Sequence, residues 1–538
     1  MASLGVSGKL KSLAGRIRIN SLKMMDRHDL WNVLVRGIIP TYLGIEIAFY
    51  FVFCFYLIPR ANQRTTPRPY RDYGRDRHQL LLRILDRMEQ TYQKKNLQSR
   101  IEKFLLEWFR EKTEPERIQG IQREEQQRQE SAVVPNSTAS ETSSLGSDDD
   151  REMSGSLNTE SSYGFGTQNS VTTASEHTAS APRTWTIKGL GKDDTDEFFS
   201  WAFFGKHRHQ LDDWEVEELE LCYTQIEKRE GLVFQSGSQH KFTPRRLTLE
   251  DVNPLHRPLL VYIAVAFCKT AAGLLLRFCG FRRIISEKTG LVGWHRPARD
   301  AASEKLLPLL FFHGIAPGGL LFYLPMLISG LSRDGRSLMM FENKSISCSM
   351  DFSALTEHQT ILGVEELVEK YLPSNVGLSL VGHSFGSCQL TWLLHSSLRK
   401  RIRQFTLMDP VTILLSEPDV MINFLYSQEV SKIRLVASSE LFTEYYLRRH
   451  FSWYNSELWL DDIPKDIKVL VALSEHDEII NSPKVKKALD QYASENVEVL
   501  YWKHVGHADC VSSPRKWREM KDRMLRQELS LAKTQCVS

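Results

Sequence analysis

The 538-residue sequence has no C-x-x-C pair and no Cys/His cluster with zinc-ligand spacing. Nothing in it therefore points to a metal or an organic cofactor. Its eight cysteines are scattered from Cys54 to Cys536, a pattern that suits a reducing compartment rather than a disulfide framework. A strong charge of one sign is also missing. The net charge is +3, which gives no reason to expect a nucleic-acid partner. The first 25 residues contain no Asp or Glu; with their Lys, Arg and Ser they also fit a mitochondrial presequence. The apolar share, 42%, is slightly low for a chain with room for two or more domains, so part of it is expected not to fold. Residues 113–183 are that part: charged and Gln-rich, then Ser, Thr, Gly, Asn and Asp, with few apolar positions and no period. Such a stretch cannot bury enough surface to offset its ordering entropy and is expected to be a disordered insert.

What is present begins with a basic segment, 1–36, and then an apolar run, 37–58. As a helix that run is about 33 Å long, enough to cross a bilayer core. Glu46 is its only charge, and a carboxyl there must be protonated or paired. Basic residues flank both ends almost equally, so the flanks fix no orientation. The expectation is a single-pass protein of an intracellular membrane with its larger part in the cytosol. Residues 59–112 carry two basic amphipathic helices, with Leu80, Leu81, Leu82, Ile84, Leu85 and Met88 on one face and Ile101, Phe104, Leu105, Trp108 and Phe109 on the next. Residues 184–289 read as a helical subdomain that docks on the C-terminal part of the chain. Its apolar stretch 258–283 holds Lys269 in mid-run, which favours a helix on the membrane surface or packed on the protein over a second span.

From 290 onward apolar strands alternate with helical patterns, which implies a parallel sheet covered by helices. Strands are expected at 306–312, 337–341, 404–411, 467–473 and 497–503, and a final helix at 513–532. Thr356 with Gln359 fits a capping box at the start of a helix. At 377–386 an apolar strand runs into Gly382-His383-Ser384-Phe385-Gly386, and a helix pattern comes next. The glycines permit a strand-to-helix turn too sharp for side chains, and the helix after it aims its positive end at Ser384.

Strand, G-x-S-x-G and helix in this order resemble the nucleophile elbow of the α/β-hydrolase superfamily, in its serine branch, and the resemblance extends over about 290–535. It implies an α/β-hydrolase fold with a cap insertion, here the aromatic-rich 412–460. It implies that Ser384 is the nucleophile and His507, after the last strand, the base; His504 sits too close to that strand. Asp477 matches the acid position. Asp409 is the runner-up, because some members place the acid after the earlier strand, and Glu475 and Glu478 are weaker. The loop His313-Gly314-Ile315 resembles the oxyanion loop, so the donors are the N–H of Phe385 and of Ile315, with Gly314 as an alternative. His383 is expected to face away from the nucleophile. The activity implied is a membrane-anchored serine hydrolase, esterase- or lipase-like, acting on a lipid or other apolar ester and in contact with the bilayer. The alternatives are an acyltransferase or amidase using the same triad, and an inactive hydrolase-fold scaffold or receptor.

Overall fold

This computed structural model describes residues 31, 33–65, 77–91, 97–132, 186–427 and 433–535. The basic segment 1–36 lies almost wholly outside them, as does 133–183 of the insert. Helix α1 (Leu34–Ala61) takes in the apolar run 37–58 and extends it at both ends. No side chain over 34–48 is buried. From Phe49 on, one face packs: Phe49, Phe53 and Leu57 share a cluster with Tyr262 and Phe442. Glu46 is paired. Its carboxylate accepts the backbone N–H of Leu259 at 2.9 Å and of Leu260 at 3.2 Å.

Helices α2 (Arg77–Thr91) and α3 (Leu97–Glu107) turn their apolar stripes inward. The start of the insert is ordered, contrary to the expectation for 113–183: α4 (Glu114–Ala132) is a helix. Glu, Gln and Arg are good helix formers even where little is buried. Its first turn is also anchored, since Glu116 accepts the Thr113 N–H at 2.8 Å and pairs with Arg110 at 2.7 Å. Strand β1 (Phe109–Glu111) pairs antiparallel with β2 (Phe242–Pro244). Helices α5 (Lys192–Phe204) and α6 (Asp213–Glu230) complete one apolar cluster with α2 and α3, and Met421 and Trp459 belong to the same cluster. The N-terminal helices and the segment 412–460 thus share a core. Arg83 binds Asp462 at 2.7 Å across this junction.

Helix α7 (Leu259–Phe278) lays one face, with Tyr262 and Leu276, on the protein, and Lys269 donates to Ser349 Oγ at 2.8 Å. Its other face is apolar and bare, with Phe267 74% and Phe278 90% exposed. The helix does not continue to 283. Gly280, at φ +85°, turns the chain, and strand β3 begins at Arg282. The sheet domain therefore starts at 282 and not at 290; an apolar run alone does not tell a helix end from a buried strand.

The sheet has eight strands: β3 (Arg282–Ile285), β4 (Val292–Arg296), β5 (Leu309–Phe312), β6 (Leu338–Glu342), β7 (Leu378–His383), β8 (Ile402–Met408), β9 (Lys468–His476) and β10 (Val497–Gly506). Their spatial order is β3-β4-β6-β5-β7-β8-β9-β10. The β3/β4 and β4/β6 pairs are antiparallel and the others parallel. Alternate residues feed two cores. Leu310 and Phe312 join the side covered by α8 (Glu357–Tyr371), α9 (Gly386–Leu394), α10 (Leu441–His450) and α11 (Ser482–Tyr492). Leu309 and Phe311 join the side covered by α7 and α12 (Pro514–Gln535). The capping box at α8 is formed: Thr356 Oγ1 accepts from Gln359 N at 3.1 Å, and Gln359 Oε1 from Thr356 N at 2.9 Å.

Arg336, with a side chain 1% exposed, ties α12 to the sheet through Glu528 at 2.6 Å and also pairs with Asp334 at 3.0 Å. Arg336→Met leaves the Glu528 carboxylate buried without its cation, while Asp334 keeps Lys521 at 3.3 Å, so we expect a loss of about 3–5 kcal/mol, read as a lower thermal midpoint in calorimetry. Adding Glu528→Leu should recover much of it. An unchanged midpoint in the single variant would contradict this account of the pair.

Candidate active site

The elbow is a close-packing problem solved by glycine. A Cβ on Gly386 would lie 2.2 Å from the Phe312 carbonyl oxygen, and one on Gly382 would lie 2.8 Å from that of Gly386. Without side chains there, α9 can run directly against the end of β5. Ser384, at the apex, holds φ at 50°, a conformation that costs a non-glycine residue energy. Its N–H donates to the Met408 carbonyl at 2.9 Å, which pins the turn to β8.

Three of the residues singled out in the sequence meet here. Ser384 Oγ is 3.0 Å from His507 Nε2, and His507 Nδ1 is 2.7 Å from Asp477 Oδ2. A carboxylate only accepts, so a neutral His507 carries its proton on Nδ1 and presents a bare Nε2 to the serine. Asp477 is held in turn: its Oδ1 accepts the N–H of Ile479 and of Ile480, both at 2.8 Å. The His507 N–H donates to Glu478 at 2.9 Å. Burial alone would lower the His507 pKa. The Asp477 carboxylate, by charge and hydrogen bond, with Asp409 and Glu478 behind it, outweighs burial and raises it.

Asp409 does not contact His507 by a hydrogen bond. It is fully buried at the end of β8 and accepts from Ser474 N at 2.8 Å, Ser474 Oγ at 3.0 Å and Ala508 N at 3.3 Å. Burial, with the nearby Asp477 charge, pushes it up to about 6. It thus joins β9 to the loop that carries His507. Glu475 lies apart, accepting the N–H of the exposed His504 at 2.9 Å.

The loop after β5 supplies the opposite wall. His313 Nε2 accepts the Asn343 N–H at 3.0 Å, so its Nδ1 carries the proton and donates to the Gly314 carbonyl at 2.7 Å. In a trans peptide the N–H of Ile315 points opposite to that carbonyl, away from His313. Gly314 itself is not a free donor: its N–H is taken by Tyr323 OH at 3.0 Å. The tyrosine proton then goes to His383 Nδ1, at 2.8 Å. His383 is buried behind the elbow, and burial drives its pKa far down. A Cβ on Gly314 would sit 2.8 Å from that of Ser384, so the loop touches the serine. No hydrogen bond engages the N–H of Phe385 or of Ile315 among the described residues. Tyr323 carries no sequence motif of its own; only the fold brings it to Gly314 and His383.

Ser384, Phe385 and Ile315 line an apolar slot whose walls include Val411, Leu415 and Phe424. Among the described residues three groups of donor atoms converge within 4.8 Å. Asp409, Asp477 and His507 are already used by the bonds above, His383, Asp409 and Cys510 are buried behind the elbow, and Glu475, His476 and His504 lie at the exposed ends of β9 and β10.

No protein-family model and no curated protein matches the chain. Solved structures do. A thermophilic esterase from Thermogutta terrifontis matches at 14% identity, over 46% of this chain and 98% of its own, with a TM-score of 0.34. A membrane phospholipase A, described as a bacterial virulence factor, matches at 12%, over 51% and 94%, also at 0.34. An α/β superfamily hydrolase from Oenococcus oeni matches at 12%, over 46% and 99%, at 0.34. Likeness at that level is too low to carry the assignment, which rests on the chain's own strand order, parallel crossovers and elbow. By these features residues 282–535 adopt the α/β-hydrolase fold.

Proposed function

We propose that the protein is a membrane-anchored serine hydrolase that cleaves an ester of a lipid or other apolar acyl group. The observation that carries this reading is the hydrogen-bonded chain from Ser384 through His507 to Asp477, opening on an apolar slot. Ser384 Oγ attacks the acyl carbonyl carbon while its proton passes to His507 Nε2. The oxyanion accepts hydrogen bonds from the N–H of Phe385 and of Ile315, a donor pair each member of which is worth about 10²–10³ in rate. As the ester C–O bond breaks, His507 returns the proton to the leaving alcohol. Water then repeats the sequence on the acyl-enzyme and releases the acid. Asp477 keeps the imidazole in the required tautomer and stabilises its cation.

Anchoring is supported by α1, whose 34–48 portion buries no side chain, and by the bare apolar face of α7. An amphipathic helix with such a face lies in the interface, so α1 is the spanning element and α7 the one that rests on the bilayer surface.

Two measurements test the proposal. Membranes containing the protein should label with a fluorophosphonate probe, and Ser384→Ala should abolish the label; equal labelling of both would remove Ser384 from the role. The second is a pH profile. Only neutral His507 can accept the serine proton, and its pKa is raised. Activity should therefore fall on the acid side with a midpoint above the ordinary histidine value of about 6.5. Asp477→Asn removes the charge that raises it, so the midpoint should move down while kcat drops by about 10⁴. A midpoint that stays put in that variant would separate Asp477 from His507 function.

A further inference from the structure

The slot at Ser384 is small. It encloses about 40 Å³, whereas sites for drug-sized ligands run to about 300–1,000 Å³. Its lining includes Leu247, Met421 and Phe451. The same three side chains line a second cavity, of about 400 Å³. That chamber is not part of the hydrolase domain alone. Trp108, Trp201 and Leu247 come from the N-terminal helical region, and Met421, Phe451 and Trp453 from the cap.

The chamber wall is suited to a mostly apolar occupant. Trp201 Nε1 donates to Thr248 Oγ1 at 2.9 Å and Trp453 Nε1 to the Ala202 carbonyl at 3.0 Å. Their polar edges are thus satisfied by protein. Trp108 Nε1, by contrast, is buried in the wall with no hydrogen-bond partner among the described residues. A buried donor left in that state costs about 1–3 kcal/mol, which an acceptor on a bound molecule would offset. At the rim, Arg64 and Gln210 are exposed, so the chamber reaches solvent. Between slot and chamber, Met421 is the adaptable element. It has an unbranched thioether side chain, and it ends the turn Pro418–Met421 immediately before the π-wound turn Ile422–Tyr426.

We propose that slot and chamber are one binding site: a long-chain acyl group runs from Ser384 past Met421 into the chamber, and the N-terminal helical region thereby sets acyl-chain length. This rests on the hydrolase reading above and adds to it the length class of the substrate and the residues that select it. A short acyl group needs only the slot. A long one needs Leu247, Met421 and Phe451 to part.

The test is the ratio of kcat/KM for p-nitrophenyl palmitate to that for p-nitrophenyl acetate, in protein shown to label with fluorophosphonate. Met421→Phe narrows the passage and should lower the ratio at least about tenfold, while Met421→Ala widens it and should raise the ratio. Having one variant of each sign guards against loss of folding in either. An unchanged ratio in both, or a wild type that turns over acetate alone, would overturn the proposal. If neither labelling nor turnover is found, the hydrolase reading fails, and the chamber is then judged without catalysis. Dibromostearate should quench tryptophan fluorescence saturably in Ser384→Ala, and Trp201→Phe with Trp453→Phe should remove much of that quench. No saturable quench, or one indifferent to those two tryptophans, would overturn the chamber itself.

Discussion

How closely α9 can pass the end of β5 governs the rest of the site. The Gly386 Cα lies against the Phe312 carbonyl, where any side chain would collide. That approach sets three things together. It places the first N–H groups of α9 beside the His313–Ile315 loop, because the loop leaves β5 at the same point. It forces Ser384 into its strained backbone conformation, since the chain must reverse within a few residues. It also brings the end of β8 near enough for the Met408 carbonyl to hold the serine N–H. A relaxed turn would lose all three at once, which is why the strain is tolerated.

Around that turn, two buried aspartates do different work. Asp477 faces His507 and is itself held by two backbone N–H groups, so it is an acceptor of fixed orientation. Asp409 faces Ser474 and the backbone of Ala508, where burial raises its pKa to about 6. The sequence offers both after strands of the same sheet, and only the register of β8 against β9 and β10 decides between them. Separating their environments gives one carboxylate to the imidazole and leaves the other to brace the loop on which that imidazole sits.

Much of this was legible in the sequence, for identifiable reasons. The elbow could be read because it demands glycine at two fixed offsets. The capping box of α8 could be read because Thr356 and Gln359 act on one another locally. The strand–helix alternation after 290 could be read because both faces of a parallel sheet are buried and its strands are continuously apolar. What escaped is what depends on distance along the chain. β3 was hidden in the tail of the apolar run that makes α7. The helix α4 was hidden in a composition shared by solvated helices and disordered segments. The Tyr323–His383 bond joins the elbow to a residue with no local pattern, and the tautomer of His313 is set by a backbone group on another loop. The common core of the N-terminal helices and the cap was invisible for the same reason: Met421 and Trp459 read simply as members of an aromatic-rich insertion until α2 and α5 are laid against them.

The pairing of Glu46 with the first turn of α7 has a consequence for how the chain is made. The two partners are 213 residues apart, so α1 has left the ribosome long before the N–H groups that satisfy its carboxylate exist. Through that interval the carboxylate has Tyr42, one turn earlier on α1, as its partner, and it gains its backbone donors only when α7 has formed a first turn. Formation of α1 and docking of α7 against it are therefore consecutive steps of a single assembly, and the later one completes the earlier.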